Sequence, residues 1–306
     1  MKSVLIFVAI VALAAVPWML DSRYIFHIAT MITIMVPMAL SFQLMVKIGQ
    51  LSVAQPAFMG IGAYGSALLT MRLGMPPALS LLVGGVFAAV TALIFGSVFL
   101  RIKGVYFALL TYAFGQIVDL IFQEWTSLFG GNSGLYGIPK FSILGWRLTA
   151  IQNYYTMGLI FAAIFYVVVL AVERSDIGSI FESLNENEML SRSIGTNALS
   201  WQVAAFVLSA FIAGVSGGLY AFYIGFLSPD PFGFRGSVDL IVMIVIGGAS
   251  SVLGPILGAI IVVPLPEILR EAREYQLLIY GVCLMLFLIF LKQGIISLIE
   301  PRRRTA

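Results

Sequence analysis

The chain has 306 residues, of which 60% are hydrophobic and only 10% are charged, and its net charge is +3. A soluble domain carries about 25% charged residues, so this chain has too few polar side chains for a water-facing surface, and we predict an integral membrane protein. Its Lys and Arg residues stand at segment ends and in loops without a clustered basic face, which excludes nucleic-acid binding and leaves membrane lipid as the surrounding medium.

Ten apolar segments follow one another along the sequence, and they predict an all-α, polytopic transmembrane helical bundle that forms one domain, residues 1–306. Runs of about 20 apolar residues are typical of spanning helices, and the weaker alternation of barrel strands is absent. The segments are Val4–Leu20, Ile25–Val46, Leu51–Met71, Pro77–Leu100, Gly104–Phe122, Tyr155–Val172, Gln202–Phe226, Val238–Gly248, Val252–Pro266 and Leu277–Leu291.

The first segment follows Met1 and Lys2 and has the form of a secretory signal peptide. Pro17 and Trp18 make a poor cleavage region, so we expect an uncleaved first helix.

Small residues recur at four-residue spacing, which predicts close helix approach. They are Gly62, Ser66, Gly214, Gly218, Gly254 and Gly258. The formal pattern Gly60-x-Gly62-x-x-Gly65 lies inside a membrane segment with no strand before it, so it is not a dinucleotide-binding loop.

Polar side chains interrupt the third and fifth segments, where they need partners or water. Tyr112, Gln116 and Asp119 would share one helix face, and Asp119 is interpreted as an interfacial anchor near the segment's end. We predict a translocation-pathway wall, and its candidate residues are Ser52, Gln55, Tyr64, Tyr112 and Gln116.

The segment Gln123–Asn153 is the longest predicted outer loop, and its centre is rich in turn-forming residues. Two interpretations stay open, a solvated loop and a landing surface for an external delivery partner.

The stretch Glu173–Ser200 is the longest charged interval in the chain. Ile177, Ile180, Phe181 and Leu184 recur at helical spacing after Ser175 and Asp176, which stand where a helix cap is expected. A short amphipathic helix between membrane segments predicts a docking surface for a protein outside the membrane.

The eighth and ninth segments are too short to span a bilayer singly, so we predict a re-entrant pair of half-helices. Irregular backbone at membrane depth is stable only when buried or facing a wet cavity, which makes the pair a candidate pathway element. Its central residues are Gly247, Gly248, Ser250, Gly254 and Pro255.

Basic residues set the predicted orientation, because Lys and Arg concentrate on the cytoplasmic side. Arg101, Lys103, Arg174, Arg192 and the basic residues 302–304 all fall there when both termini are cytoplasmic and the half-helices form a hairpin. One continuous span in place of the hairpin would put residues 302–304 outside.

The sequence contains no Gly-x-x-x-x-Gly-Lys-Ser/Thr loop and only one His, His27, and one Cys, Cys283. We therefore predict no enzymatic activity, no metal site and no cofactor bound by this chain. Uphill transport would need an ion gradient or a partner, and the scarcity of ionisable residues at mid-membrane favours a partner.

Several stretches, in order from about residue 25 to 297, resemble the branched-chain amino acid importer permeases of the LivM type in the ATP-binding-cassette class. The matching motifs are Gly49-Gln-Leu-Ser52, Phe58-Met-Gly-Ile-Gly-Ala-Tyr64, Lys103-Gly-Val-Tyr-Phe-Ala-Leu-Leu-Thr111, Gly131-Asn-Ser-Gly-Leu-Tyr-Gly-Ile-Pro139, Ser175-Asp-Ile-Gly178, Glu186-Asn-Glu188, Gly195-Thr-Asn197, Ala213-Gly-Val-Ser-Gly-Gly-Leu-Tyr220, Gly247-Gly-Ala-Ser-Ser251 and Gly254-Pro255.

The resemblance implies a permease in a bacterial or archaeal inner membrane, paired with a second homologous permease, two cytoplasmic ATPases that hold ATP and Mg, and a periplasmic or lipid-anchored substrate-binding protein. It also implies that residues 173–200 form the cytoplasmic coupling loop. The residues expected to couple to the ATPase are Asp176, Ile177, Gly178, Ile180, Phe181, Leu184, Glu186, Asn187 and Glu188.

One departure from the family concerns charge. Family members commonly carry arginines where this chain has Ser179, Glu182 and Asn185, and the interval from Asp176 to Glu188 holds four carboxylates and no basic residue. We therefore expect an ATPase partner with a more basic groove.

Three alternatives stay open at this point. Urea and short-amide importers share the permease family, an ion-coupled or facilitative carrier would work alone, and a non-transporting scaffold would use the charged loop only to recruit a cytoplasmic protein.

Overall fold

The computed structural model describes residues 15–143, 146–193 and 195–269, together with residues 275, 278–282, 285 and 294–296. Most of the first and tenth predicted segments, Cys283 and residues 302–304 lie outside the described residues.

Helices make up nearly all of the described structure, which confirms the predicted all-α class. They are α1 (Arg23–Lys47), α2 (Gln55–Leu73), α3 (Pro77–Phe99), α4 (Val105–Glu124), α5 (Thr126–Phe129), α6 (Ile151–Arg174), α7 (Asp176–Ser193), α8 (Ala198–Ile224), α9 (Phe234–Gly247), α10 (Leu253–Val262) and α11 (Pro264–Ile268). The strands are β1 (Leu135–Tyr136), β2 (Ser142–Ile143), β3 (Trp146–Arg147) and β4 (Phe226–Leu227), and 3-10 turns cover Gly131–Ser133 and Asp230–Phe232.

Among the described residues, five helices are long and apolar enough to cross a membrane: α1, α3, α4, α6 and α8. The chain is a multi-pass membrane protein. Helices α9 and α10 have only 14 and 10 residues, so at about 1.5 Å per residue neither crosses the roughly 30 Å of hydrocarbon alone.

The centre of the bundle is formed by α8 packed against α2 and α3. A Cβ atom on Gly62 would lie 2.1 Å from the carbonyl oxygen of Gly214, and one on Gly217 would lie 1.9 Å from that of Met59. These helices touch backbone to backbone, which confirms the predicted close approach at Gly62 and Gly214.

The two ends of the bundle carry different elements. We call the end that carries Lys47, α7 and residues 248–252 the coupling end. Lys103 and Arg192 both reach Glu188 there, so basic residues that the sequence analysis assigned to one side do share one end. The opposite end carries the connection from α4 to α6 and is called the loop end.

The connection at the loop end is partly ordered by strand pairing. Strand β1 pairs antiparallel with β4, with Leu135 opposite Leu227 and Tyr136 opposite Phe226. The rings of Tyr136 and Phe226 lie 4.4 Å apart. The predicted outer loop is therefore fastened to the segment that joins α8 to α9.

Candidate functional site

Helix α7 is the polar helix that the sequence analysis assigned to coupling, and it is interrupted at one residue. Asn187 has φ −157° and ψ 97°, which is extended backbone inside an otherwise helical segment. Its side-chain oxygen accepts a hydrogen bond from the backbone N–H of Leu190 at 3.1 Å. Asn187 therefore caps a second short helix, and α7 has two parts, residues 176–186 and 188–193.

The apolar stripe of α7 faces the bundle. Phe181 and Leu184 are buried, and Ile177 packs against the core. The predicted coupling residues of this stripe thus hold α7 in place within the chain. Three carboxylates face solvent instead: Asp176, Glu182 and Glu186.

Two apolar residues that follow the break are exposed. Met189 is 81% exposed and Leu190 is 64% exposed. The sequence analysis did not select them because they fall outside the stripe's spacing. The apolar pair directly after an Asn-rich acidic run was the signal that could have found them.

Glu188 differs from the other carboxylates of α7 because its charge is used inside the chain. It forms ion pairs with Lys103 at 2.8 Å and with Arg192 at 2.6 Å, and Gln202 donates a hydrogen bond to it at 3.3 Å. Burial alone would raise the pKa of Glu188, but the Lys103 hydrogen bond, the Lys103 and Arg192 charges and the Gln202 hydrogen bond outweigh it, and the pKa lies below the ordinary value of 4.5. Glu188 therefore stays ionised and fastens the second part of α7 to α8 and to the α3–α4 connection.

Two glycines allow α7 to lie close to its neighbours. Gly49 has φ +75°, and a Cβ atom there would lie 2.9 Å from the side-chain oxygen of Asn185. A Cβ atom on Gly178 would lie 2.2 Å from the carbonyl oxygen of Glu173. The corner between α6 and α7 is therefore tight, and Glu173 lies directly at it.

The predicted pair of half-helices is present as an antiparallel hairpin of α9 and α10. A Cβ atom on Gly247 would lie 1.9 Å from the carbonyl oxygen of Gly254, and one on Gly258 would lie 1.9 Å from that of Met243. Pro255 lies in the first turn of α10, where its missing N–H costs no helical hydrogen bond. The hairpin packs through its glycines.

The depth of the hairpin differs from the expectation. Its turn, residues 248–252, lies beside Lys47, the last residue of α1, and not beside the middle of that helix. The segment that lies beside the middle of a helix is the one just before α9, where the ring of Phe232 packs on that of Tyr64 in α2. The turn lies at the end of α1 because the beginning of the hairpin packs on α2. The lengths of the two apolar segments do not reveal that packing.

Side chains of α1 hold the hairpin turn. Gln43 donates a hydrogen bond to the carbonyl oxygen of Ser251 at 2.8 Å, and Lys47, one turn later, donates to that of Ser250 at 3.1 Å. Lys47 also forms an ion pair with Glu173 at 2.5 Å. Lys47 therefore contacts both the hairpin turn and the corner from which α7 begins.

A cavity of about 590 Å³ separates α7 from the hairpin turn. It is lined by Gln43 and Lys47 of α1, by Phe181 and Glu182 of α7, by the end of α6 and by Ser250 of the turn. The side-chain oxygen of Gln43 is buried and has no hydrogen-bond partner among the described residues. The cavity leaves room for α7 and the turn to move relative to each other.

Ser52 and Gln55 lie within the helix packing. Gln55 donates to the Ser209 hydroxyl at 3.1 Å and accepts from the Ser41 hydroxyl at 3.4 Å. Ser52 is fully buried, and its hydroxyl has no partner among the described residues. In this conformation these two predicted pathway residues face other helices.

Tyr64 is fully buried in an aromatic cluster. Its ring lies 4.4 Å from that of Phe122, 5.2 Å from that of Phe129 and 5.9 Å from that of Phe232. Its hydroxyl has no hydrogen-bond partner among the described residues, so a polar atom is held inside an apolar cluster next to α4.

The predicted shared face of α4 is present and partly exposed. Tyr112 and Gln116 are half-buried, and the ring of Tyr112 lies edge-on to that of Phe234 at 5.5 Å. Further along the face, Asp119 accepts a hydrogen bond from Gln123 at 2.9 Å, while its other carboxylate oxygen is buried without a partner among the described residues. The structure thus brings Tyr112, Gln116 and Asp119 together in line, apart from Ser52 and Gln55.

Comparisons with a protein-family model and with individual known proteins point to the same family. Residues 24–289 match the family described as "Branched-chain amino acid transport system / permease component". The chain is 31% identical to the "High-affinity branched-chain amino acid transport system permease protein LivM" of Escherichia coli (strain K12), over 98% of this chain and 76% of the relative. It is 30% identical to the protein of the same name from Salmonella typhimurium (strain LT2), over 97% of this chain and 76% of the relative. No solved structure matches the chain significantly.

Proposed function

The chain belongs to the family of branched-chain amino acid transport system permease components, and on this premise we propose that it is the permease subunit of an ATP-driven importer. Both named relatives are branched-chain amino acid permeases, which supports leucine, isoleucine or valine as the substrate over urea or short amides. The chain itself performs no catalysis in this proposal.

The observation that carries the proposal is α7, an 18-residue polar helix at one end of an apolar bundle. Its inner face is packed on the bundle, and its outer face offers carboxylates and an exposed apolar pair. Such a surface suits a partner protein, and we assign that partner as two ATPases on the cytoplasmic side. ATP and Mg would be bound by those subunits and not by this chain.

The exposed charge of α7 supports an ATPase with a basic groove. Glu188 is neutralised within the chain, so three carboxylates rather than four remain for the partner: Asp176, Glu182 and Glu186. Complementary potentials across an interface set partner choice and association rate.

The remaining partners follow from the two ends of the bundle. A second homologous permease would complete the pathway, and a substrate-binding protein would dock at the loop end, where β1 and β4 order the outer connection. The half-exposed face of α4 with Tyr112 and Gln116 is the part of the predicted wall that a second permease could reach. Alternating access would follow from rigid-body movement of helices that α7 drives.

Reconstitution tests this function. The chain, a second permease and the ATPases would be assembled in proteoliposomes with external binding protein, and uptake of radiolabelled leucine would be measured with and without ATP. We expect uptake that needs ATP and that stops when the nucleotide-binding lysine of the ATPase is replaced. Uptake by this chain alone, driven by an ion gradient, would contradict the proposal.

A further inference from the structure

The position of Lys47 connects two parts of the molecule that a cavity otherwise separates. Its ammonium group lies 2.5 Å from a carboxylate oxygen of Glu173 and 3.1 Å from the carbonyl oxygen of Ser250. The first contact reaches the corner between α6 and α7, and the second reaches the turn of the hairpin.

The corner between α6 and α7 is closely packed. Gly178 of α7 lies so close to the carbonyl oxygen of Glu173 that a Cβ atom there would be 2.2 Å away. A displacement of α7 therefore displaces Glu173 with it, because the two backbones are already in contact.

The hairpin turn is held by α1 and by residues 294–295, since the N–H of Ile295 donates to the carbonyl oxygen of Ile246 at 2.8 Å, but the cavity keeps it apart from α7. The cavity of about 590 Å³ lies between α7 and the turn, so α7 does not press on the turn across that gap. Gln43 connects the turn to α1 but not to α7. The contact of Gly49 with Asn185 connects α7 to the end of α1 but does not reach the turn. Among the described residues, Lys47 is the side chain that bonds both sides of the gap.

The strength of the contact fits a link that is made and broken repeatedly. The Lys47 and Glu173 side chains are 29% and 33% exposed, and ion pairs with that access to water contribute about 0 to 1 kcal/mol. A pair buried more deeply would resist separation during each cycle.

We propose that Lys47 is the positioning residue through which movement of α7 reaches the hairpin turn, so that its loss uncouples ATP hydrolysis from transport. This inference rests on the proposed function. It assigns the Lys47–Glu173 ion pair and the Lys47–Ser250 hydrogen bond as the connection between the ATPase-facing helix and the hairpin.

The test measures leucine uptake and ATP hydrolysis in the same proteoliposomes that contain the complete importer. In Lys47→Met and in Glu173→Gln we expect leucine transported per ATP hydrolysed to fall about tenfold, a size typical of coupling between sites. The double variant should be no lower than Lys47→Met, because both changes break one connection. Lys47→Arg, which can still pair with Glu173 and donate to a carbonyl, should stay near wild type.

Controls separate coupling from folding and from the proposed function. Arg23→Met, which removes an exposed cation at the first residue of α1, outside the outer connection, should leave the ratio unchanged. A purely structural role of Lys47 would lower uptake and hydrolysis in proportion, and that outcome, or a wild-type ratio in both single variants, overturns the inference. If the wild-type complex shows no ATP-driven uptake, the proposed function fails before any variant is compared.

Discussion

Glu188 shows how one carboxylate in an acidic run takes on a different task from its neighbours. Its partners come from the α3–α4 connection, from its own helix and from α8, whereas Glu182 and Glu186 face solvent. The extended residue Asn187 separates Glu188 from the helical register of the apolar stripe. Lys103, Arg192 and Gln202 surround Glu188 instead, and a partly buried carboxylate is stable there because it is ion-paired.

Replacing Glu188 tests this anchoring. In Glu188→Gln, Lys103 and Arg192 lose their ion pairs, and we expect the attachment of residues 188–193 to weaken by about 1 to 2 kcal/mol. Hydrogen exchange of the backbone amides in that segment should become faster in the variant. Glu186→Gln, an exposed neighbour, should exchange as the wild type does; equal exchange in both variants would contradict the anchoring role.

The lowered pKa of Glu188 fixes the sign of the pH dependence. A carboxyl whose pKa is depressed on folding stabilises the fold above its ordinary value of 4.5, and this contribution is lost as the pH falls through the folded-state value. Exchange in residues 188–193 should therefore show no contribution from Glu188 titration between about pH 5 and 8.

Helix α7 combines two surfaces that its sequence presents as one amphipathic pattern. The stripe with Phe181 and Leu184 fastens it to the bundle, and the exposed carboxylates with Met189 and Leu190 are left for a partner. A variant at Phe181 would therefore damage the fold before it tested docking. Variants at exposed positions test docking without that complication.

Two variants of the exposed surface should weaken ATPase binding. The double variant Glu182→Lys with Glu186→Lys presents positive charge to a basic groove. Met189→Asp replaces an apolar residue that is 81% exposed and available to the ATPase. We expect the affinity of the solubilised permease for the ATPase to fall at least about tenfold in each, a cost of roughly 1.4 kcal/mol. Raising the salt concentration should weaken the wild-type association, since exposed charges are screened.

The control for charge is Glu124→Lys, an exposed carboxylate on α4 near the loop end, which should leave ATPase binding unchanged. Tighter binding by the charge-reversed variant would show that the ATPase groove is acidic and would reject the predicted basic groove.

The hairpin depends on glycine at its internal contacts. In Gly258→Ala the new Cβ atom would lie 1.9 Å from the carbonyl oxygen of Met243, so α9 and α10 must separate, at a cost of about 1 to 3 kcal/mol. We expect a lower unfolding temperature and reduced leucine uptake.

A matched glycine allows the same substitution without a clash. Gly115 of α4 has no atom within 4 Å of the place of a Cβ, and Gly115→Ala should keep or raise stability by up to about 1 kcal/mol. Equal unfolding temperatures for Gly258→Ala and Gly115→Ala would contradict the close contact in the hairpin.

At the scale of the whole molecule, the sequence predicted those features that the bilayer enforces. Long apolar runs must become helices because lipid offers no hydrogen bonds, and α9 and α10 were recognisable because they are too short. The break at Asn187, the depth of the hairpin and the burial of Ser52 and Gln55 depend on contacts between distant segments, such as Gln55 with Ser209. Hydropathy and periodicity contain no information on those contacts.

The break in α7 at Asn187 has a consequence for how a permease of this family acquires a different ATPase partner. Residues 176–186 carry the exposed acidic charge, whereas residues 188–193 carry the ion pairs that secure the helix, and the extended residue between them separates the two helical registers. A chimera that exchanges only the exposed side chains of residues 176–186 for those of a relative should therefore change the charge that the ATPase meets, while Phe181, Leu184 and the ion pairs of Glu188 keep the helix attached. Recognition and attachment use different side chains of one 18-residue helix, so they can diverge at different rates.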